Sequence, residues 1–269
     1  NSLVEQSQPA NDGRRRRRAP DADRPPTPKR STAMASLEDQ PIRRLPTGSG
    51  EFDRVLGGGL VPGSLVLVGG DPGIGKSTLL LQSASTMAAQ TSVLYVSAEE
   101  SAQQVKLRWQ RLAGGPSDLQ LLAETDLELV LEELEALRPD VAIIDSIQAL
   151  HDANLPSAPG SVGQVRECAA ALQRLAKRQT TALLLVGHVT KEGMLAGPKV
   201  LEHLVDAVLT FEGDRFASHR LLRAVKNRFG ATHELGLFEM QAQGLEEVSN
   251  PSELFLSETR ASGVATIVA

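Results

Sequence analysis

The chain has 269 residues, 41% of them hydrophobic, with a formal net charge of −5; that is enough for one substantial α/β domain and a tail. Aromatics make up only 3%, which argues against a protein that stacks many single-strand bases on aromatic side chains. The single cysteine, Cys168, excludes an internal disulfide and a cysteine-built zinc site, and no run of 18 apolar residues offers a membrane-spanning helix.

The charge is unevenly spread. Residues 1–44 hold ten Lys/Arg against six Asp/Glu, a balance of +4, and the rest holds 18 against 27, a balance of −9. An acidic body argues against coating nucleic acid through overall charge. Residues 1–41 read as a disordered Arg- and Pro-rich arm, with "GRRRRRAP" and "DRPPTPKR" and almost no apolar residues. The arginines at 14–18 suit an acidic partner or nucleic acid, and equally a solvated linker. Order is expected from about Ile42.

A short helix is predicted over 51–56, stopped by Gly57 to Gly59, and Pro62-Gly63 makes a turn. "LVLVGG" (65–70) is a buried strand, 76–87 a helix, "VLYVS" (93–97) a strand and 102–112 a helix. A short strand over 119–124 and an acidic amphipathic helix over 127–137 follow. "VAIID" (141–145) is a continuous apolar strand of the kind found in the middle of a parallel sheet. After a loop at 150–163 come a helix over 164–178, a strand "ALLLVG" (182–187) and a loop at 189–200. "AVLTFEG", "HRLLRAVKN" and "LGLFEM" read as strands joined by turns. The expected fold class is α/β: a mostly parallel sheet covered by helices on both faces, with an antiparallel C-terminal extension.

Between the first buried strand and its helix lies "GGDPGIGKSTL", a complete G-x-x-x-x-G-K-S loop. Gly70, Asp71, Pro72, Gly73, Ile74 and Gly75 would turn backbone amides onto phosphates at a helix N-terminus. Lys76 would reach the β/γ-phosphates, Ser77 would ligate Mg²⁺, and Thr78 would support the α-phosphate side. Asp145 ends an apolar strand at the sheet edge where open α/β sheets bind ligands, and would serve the same Mg²⁺. Glu99 and Glu100 follow another strand. Glu99 is the preferred group for orienting the attacking water, Glu100 a near equal, and a helix-capping role competes for either. His188, just past a buried strand, could sense a γ-phosphate or be satisfied locally. Lys191 and Lys199 lie in the following loop as candidate DNA contacts; each is equally a solvated surface charge. Lys226 and Arg228, at i and i+2 on a strand, would point the same way and could reach an adjoining subunit's phosphate or DNA, with a solvated strand edge as the plainer reading.

Eight stretches then resemble the RecA-like ATPase domain of the bacterial RadA (Sms) DNA-repair family: "RLPTGSGEFDRVLGGGLVPGS", "GGDPGIGKSTLLLQ", "YVSAEES", "IIDSIQ", "SAPGSVGQVRE", "VGHVTKEGMLAGPKVLEHLVD", "KNRFGATHELGLFEM" and "GLEEVSNPSELFLS". The resemblance implies a P-loop domain over about 42–257, and a DNA-dependent ATPase that uses ATP and Mg²⁺ to process branched recombination intermediates; the alternative is an ATP-driven protein-binding scaffold or nucleotide switch of the same superfamily without DNA activity. It implies as partners single-stranded or branched DNA, a RecA-type recombinase and further copies in a hexameric ring. The implied location is the bacterial cytoplasm, with a plastid as the alternative. Carried over by motif, Glu99 takes the catalytic position, and Lys226 and Arg228 become the signature cations that couple ATP to DNA. The family usually adds an N-terminal four-cysteine zinc module and a C-terminal Lon-protease-like domain. The Arg-rich arm stands where the first would be, and residues 258–269 are expected to open the second.

Overall fold

A computed structural model describes residues 34–36, 43–112, 118–188, 198–213 and 218–248. Two compact units divide the chain at residue 41; of the first, only a 3₁₀ turn at Met34–Ser36 is described. The second holds the helices α1 (Gly50–Leu56), α2 (Lys76–Met87), α3 (Ala102–Arg111), α4 (Leu127–Leu137), α5 (Val162–Gln179) and α6 (Pro198–Leu201). Its strands are β1 (Leu65–Gly70), β2 (Val93–Ser97), β3 (Gln120–Ala123), β4 (Val141–Asp145), β5 (Ala182–His188), β6 (Ala207–Glu212), β7 (His219–Asn227), β8 (Leu235–Gln241) and β9 (Gly244–Glu247).

These nine strands form one sheet in the order β3-β2-β4-β5-β1-β6-β7-β8-β9. The first six in that order pair in parallel, and β6 to β9 pair antiparallel. The expected architecture is therefore present, including the antiparallel extension. Successive strand residues face opposite sides of a sheet. Val66, Val68, Ile143 and Leu184 accordingly pack with residues of α1, α2 and α3, while Leu65, Leu67, Ile144 and Leu185 pack with residues of α4 and α5. Burial on both faces explains why β1, β4 and β5 read as unbroken apolar runs. None of the helices described is long and apolar enough to cross a membrane.

Local chemistry sets the element ends. Ser49 caps α1 by accepting from Phe52 N, and Gly57 closes it at φ 84°, where a side chain would be strained. Ser101 and Gln104 form a reciprocal capping box on α3. Ser161 accepts from Gln164 N, so α5 starts at Val162, two residues before its predicted start. Two short elements have no sequence forecast: α6 and the edge strand β9, each four residues long and below the length at which periodicity shows.

Cys168 lies fully buried on α5, and burial pushes its thiol up to about 11. A thiol reagent at pH 8 should leave the folded chain unmodified and should label one thiol per chain in denaturant.

Candidate functional site

The carboxyl ends of β1, β2, β4 and β5 bring the expected residues to one rim of the sheet. At the tip of β1, Gly70 runs so close to β6 that a Cβ there would lie 2.4 Å from the Phe211 carbonyl oxygen. Gly73 (φ 77°) and Gly75 (φ 118°) supply the left-handed turns that wrap the loop onto α2. Gly75 is the N-cap of α2 and offers no side-chain oxygen, so the leading amides of that 12-residue helix face the loop without a side-chain cap. Lys76 is buried, and its ammonium donates to the carbonyls of Gly70 (2.7 Å) and Asp71 (2.9 Å). Burial pushes it down to about 8, against the pull of the negative Asp145, Asp71 and Glu99.

Asp145 ends β4 beside Ser97 of β2 and is buried. The Tyr95 hydroxyl on β2 donates to its Oδ2 at 2.5 Å. Burial and the Asp145 charge hold that phenol far above its ordinary range, so Tyr95 stays a proton donor. Ser77, in the first turn of α2, and Asp145 carry hard oxygen donors of the kind Mg²⁺ takes alongside phosphate oxygens and waters. No group of three or more His, Cys, Asp or Glu suited to a metal exists among the described residues.

The two candidate carboxylates point different ways. Glu100 pairs with Arg108 of α3, and its carbonyl accepts from Ser97 Oγ. Glu99 instead accepts two hydrogen bonds on one oxygen: Oε1 receives Ser146 Oγ and lies 3.1 Å from His188 Nε2. An ionised carboxylate only accepts, so the imidazole carries its proton on Nε2. The His188 bond, aided by Ser146 and opposed by burial, holds Glu99 down at about 2. His188, left between two readings by the sequence, thus has a defined partner at the rim.

Lys226 and Arg228 lie at the opposite rim. Asn227 pairs with Ala207 at the start of β6, whereas Phe211 pairs with Gly70; that separates them from their own phosphate loop by about 13 Å of strand. Lys226 Nζ donates to the carbonyls of Glu202 (2.5 Å) and Val205 (2.8 Å). Arg228 has left the strand, which ends at Asn227, and pairs at 2.8 Å with the buried Asp206. The expectation of two cations side by side on a strand is corrected in that respect. Lys191 and the 14–18 arginines lie outside the described residues, and Lys199 sits in α6 with its side chain outside them. The predicted tail at 258–269 is likewise outside.

Arg220 belongs to none of the motifs. It is buried on β7, its Nε donates to the Ile74 carbonyl at 3.0 Å, and it thereby braces the phosphate loop from a strand 146 positions away in sequence. A signal for it exists in the pattern: 220, 222 and 224 are the inward phase of β7, and an arginine at an inward position needs a polar partner. Arg220→Met should cost about 1–3 kcal/mol by stranding that carbonyl. A thermal melt and a nucleotide titration should both register it.

A larger cavity of about 440 Å³ lies elsewhere, between α2, α3 and β3, with Trp109, Leu119 and Leu121 among its lining. It is mostly apolar and lacks the loop and both carboxylates.

Comparison with known proteins places the chain in a family. A family model described as "AAA domain" matches residues 31–194, more than half of the chain. Among curated proteins, the chain is similar to DNA repair protein RadA of Synechocystis sp., 58% identical over 262 residues, covering 90% of this chain and 52% of that protein. It is also similar to RadA of Listeria monocytogenes (55% over 245 residues; 90% and 53%) and of Bacillus subtilis (52% over 243 residues; 90% and 53%). The chain thus spans about half the length of these relatives. Among solved structures, a KaiC-like protein from Pyrococcus horikoshii has a TM-score of 0.63 at 20% identity, covering 77% of this chain and 100% of that one. The RadB recombinase gives 0.58 at 21% (76% and 100%); at these identities the likeness concerns the fold. The chain belongs to the AAA domain family, and its fold is the RecA-like α/β core.

Proposed function

We propose that the chain is an ATPase of the RadA type, which binds ATP-Mg²⁺ at the carboxyl rim and hydrolyses it in the service of recombinational DNA repair. The observation that carries this reading is the convergence on one rim of a glycine loop with a buried lysine, Asp145 at a strand tip and Glu99 clamped on the next strand over. The loop amides and Lys76 would cradle the phosphates, while Ser77 and Asp145 would hold Mg²⁺, whose charge offsets that of the β- and γ-oxygens. Glu99 would orient the attacking water, and His188 on the same oxygen would register whether a γ-phosphate is in place.

Lys226 and Arg228 are too far from their own loop to act there. We assign them to the site of an adjoining copy, in a ring whose channel would take single-stranded or branched DNA. The relatives named DNA repair protein RadA support the repair assignment; a RecA-type recombinase as partner and the bacterial cytoplasm as location belong to the same proposal. Contact with DNA would run through backbone phosphates, since the chain has so few aromatics.

The test is ATP turnover by the 269-residue chain with and without single-stranded DNA, across a salt series. DNA should stimulate turnover, with apparent affinity falling as salt rises. Turnover indifferent to DNA would leave an ATPase without the proposed substrate.

A further inference from the structure

We propose that Ser146 is a positioning residue for hydrolysis: by bonding Glu99 Oε1, it fixes the orientation of the carboxylate that orients the water. The inference rests on the assignment of Glu99 made above. Ser146 follows Asp145, the last residue of β4, and is fully buried. The parallel register of β2 and β4 sets Ser97 beside Asp145, and the chains then run out together, so the residue after Asp145 comes to lie against the residues after Ser97. Ala98 N donates to the Asp145 carbonyl at 2.7 Å and closes that junction. The hydroxyl of Ser146 is thereby delivered to Glu99 from the floor of the site, while His188 Nε2 approaches from the tip of β5.

Two donors, one just past the end of β4 and one at the tip of β5, on a single carboxylate oxygen define a direction. With Oε1 held by Ser146 and His188, rotation of the carboxyl about its last bond would break both hydrogen bonds. Oε2 is then the oxygen presented to a water. A glutamate side chain that is 45% exposed has the room to sample several rotamers. Holding it in one of them is the kind of pre-organisation on which the rate of a positioned reaction depends. Glu100, one residue on, shows the alternative: with Arg108 as its partner it is directed to α3 and away from this junction. The hydroxyl of Ser146 is committed to Glu99, whereas the Lys76 ammonium is committed to the Gly70 and Asp71 carbonyls. The effect of Ser146 should therefore fall on turnover and spare nucleotide binding.

The test is Ser146→Ala, which removes one oxygen from a buried site without adding volume, beside Ser146→Cys, which keeps a weaker donor in place. In the 269-residue chain, Ser146→Ala should lower kcat between about tenfold and a hundredfold, the range for losing a hydrogen bond to a charged group. The dissociation constant for Mg-ATP should stay within about twofold, and Ser146→Cys should recover part of the loss. In single-turnover experiments, Ser146→Ala added to Glu99→Gln should cost little more than Glu99→Gln alone, because the hydroxyl acts through that carboxylate. An unchanged kcat in Ser146→Ala, with Glu99→Gln inactive, overturns the inference and leaves the Glu99 assignment standing. So does an equal loss in both backgrounds, or a matching loss of nucleotide affinity. Normal turnover in Glu99→Gln overturns the assignment of Glu99 and the inference with it.

Discussion

Glu99→Gln should lower ATP turnover by about a hundredfold or more, while Mg-ATP binding stays within about twofold. The substitution keeps the size of the side chain and its reach to Ser146 and His188, so the fold of the rim should survive. It removes the negative charge proposed to orient a water for in-line attack, an interaction that would be needed in the transition state and not in the bound state. The His188 bond holds Glu99 ionised down to about pH 2. Protonation of a carboxylate with a depressed pKa sets in only as pH falls towards that value. Turnover should therefore show no acid limb from Glu99 above about pH 4. Rate and binding, measured by a phosphate-release assay and by nucleotide titration, should separate cleanly. A variant that lost both equally would mean that Glu99 holds the nucleotide and does not position the water.

Arg228→Ala should lower turnover by about a thousandfold, the lower range for loss of an arginine finger, although Arg228 lies at the far rim from its own phosphate loop. Nucleotide binding at the same chain's loop should be retained, because Lys76, Asp145 and Glu99 all sit at the other end of the sheet. The complication is local. Arg228 balances Asp206, which is buried and also accepts from Leu65 N at 3.0 Å at the start of β1. Removing the arginine leaves that carboxylate without its cation, a change that destabilises. Arg228→Lys separates the two effects: it keeps a positive charge for Asp206 and loses the planar fork that spans phosphate oxygens. It should melt near the parent and still turn over slowly.

Contiguity explains what the sequence revealed. The phosphate loop is a run of consecutive residues between a strand and a helix, so motif and context are read together. Asp145 closes a run of four buried apolar residues and was readable for the same reason. Glu99 and Glu100 could not be separated from sequence, because both follow β2 and the decision lies in partners 47 and 89 positions from Glu99, Ser146 and His188. Arg108 acts from the other side by pairing with Glu100, which favours Glu99 for the role. The tether of Lys226 to the carbonyls of Glu202 and Val205 was equally hidden, since it depends on how the turn after α6 approaches β7. Arg220 differs: its inward phase on β7 was visible, and only its partner, the Ile74 carbonyl, required the fold.

The central claim is that the phosphates are held at one rim of each copy, while the cations at the other rim complete the site of the next. Lys76→Ala and Arg228→Ala chains, each inactive alone, should regain turnover when mixed at a concentration that supports assembly. Some junctions then join an intact loop to an intact arginine, about a quarter of them at equal mixing if copies assemble at random. Turnover that stays at the background of either variant, in a mixture shown by light scattering to have assembled together, would contradict the account.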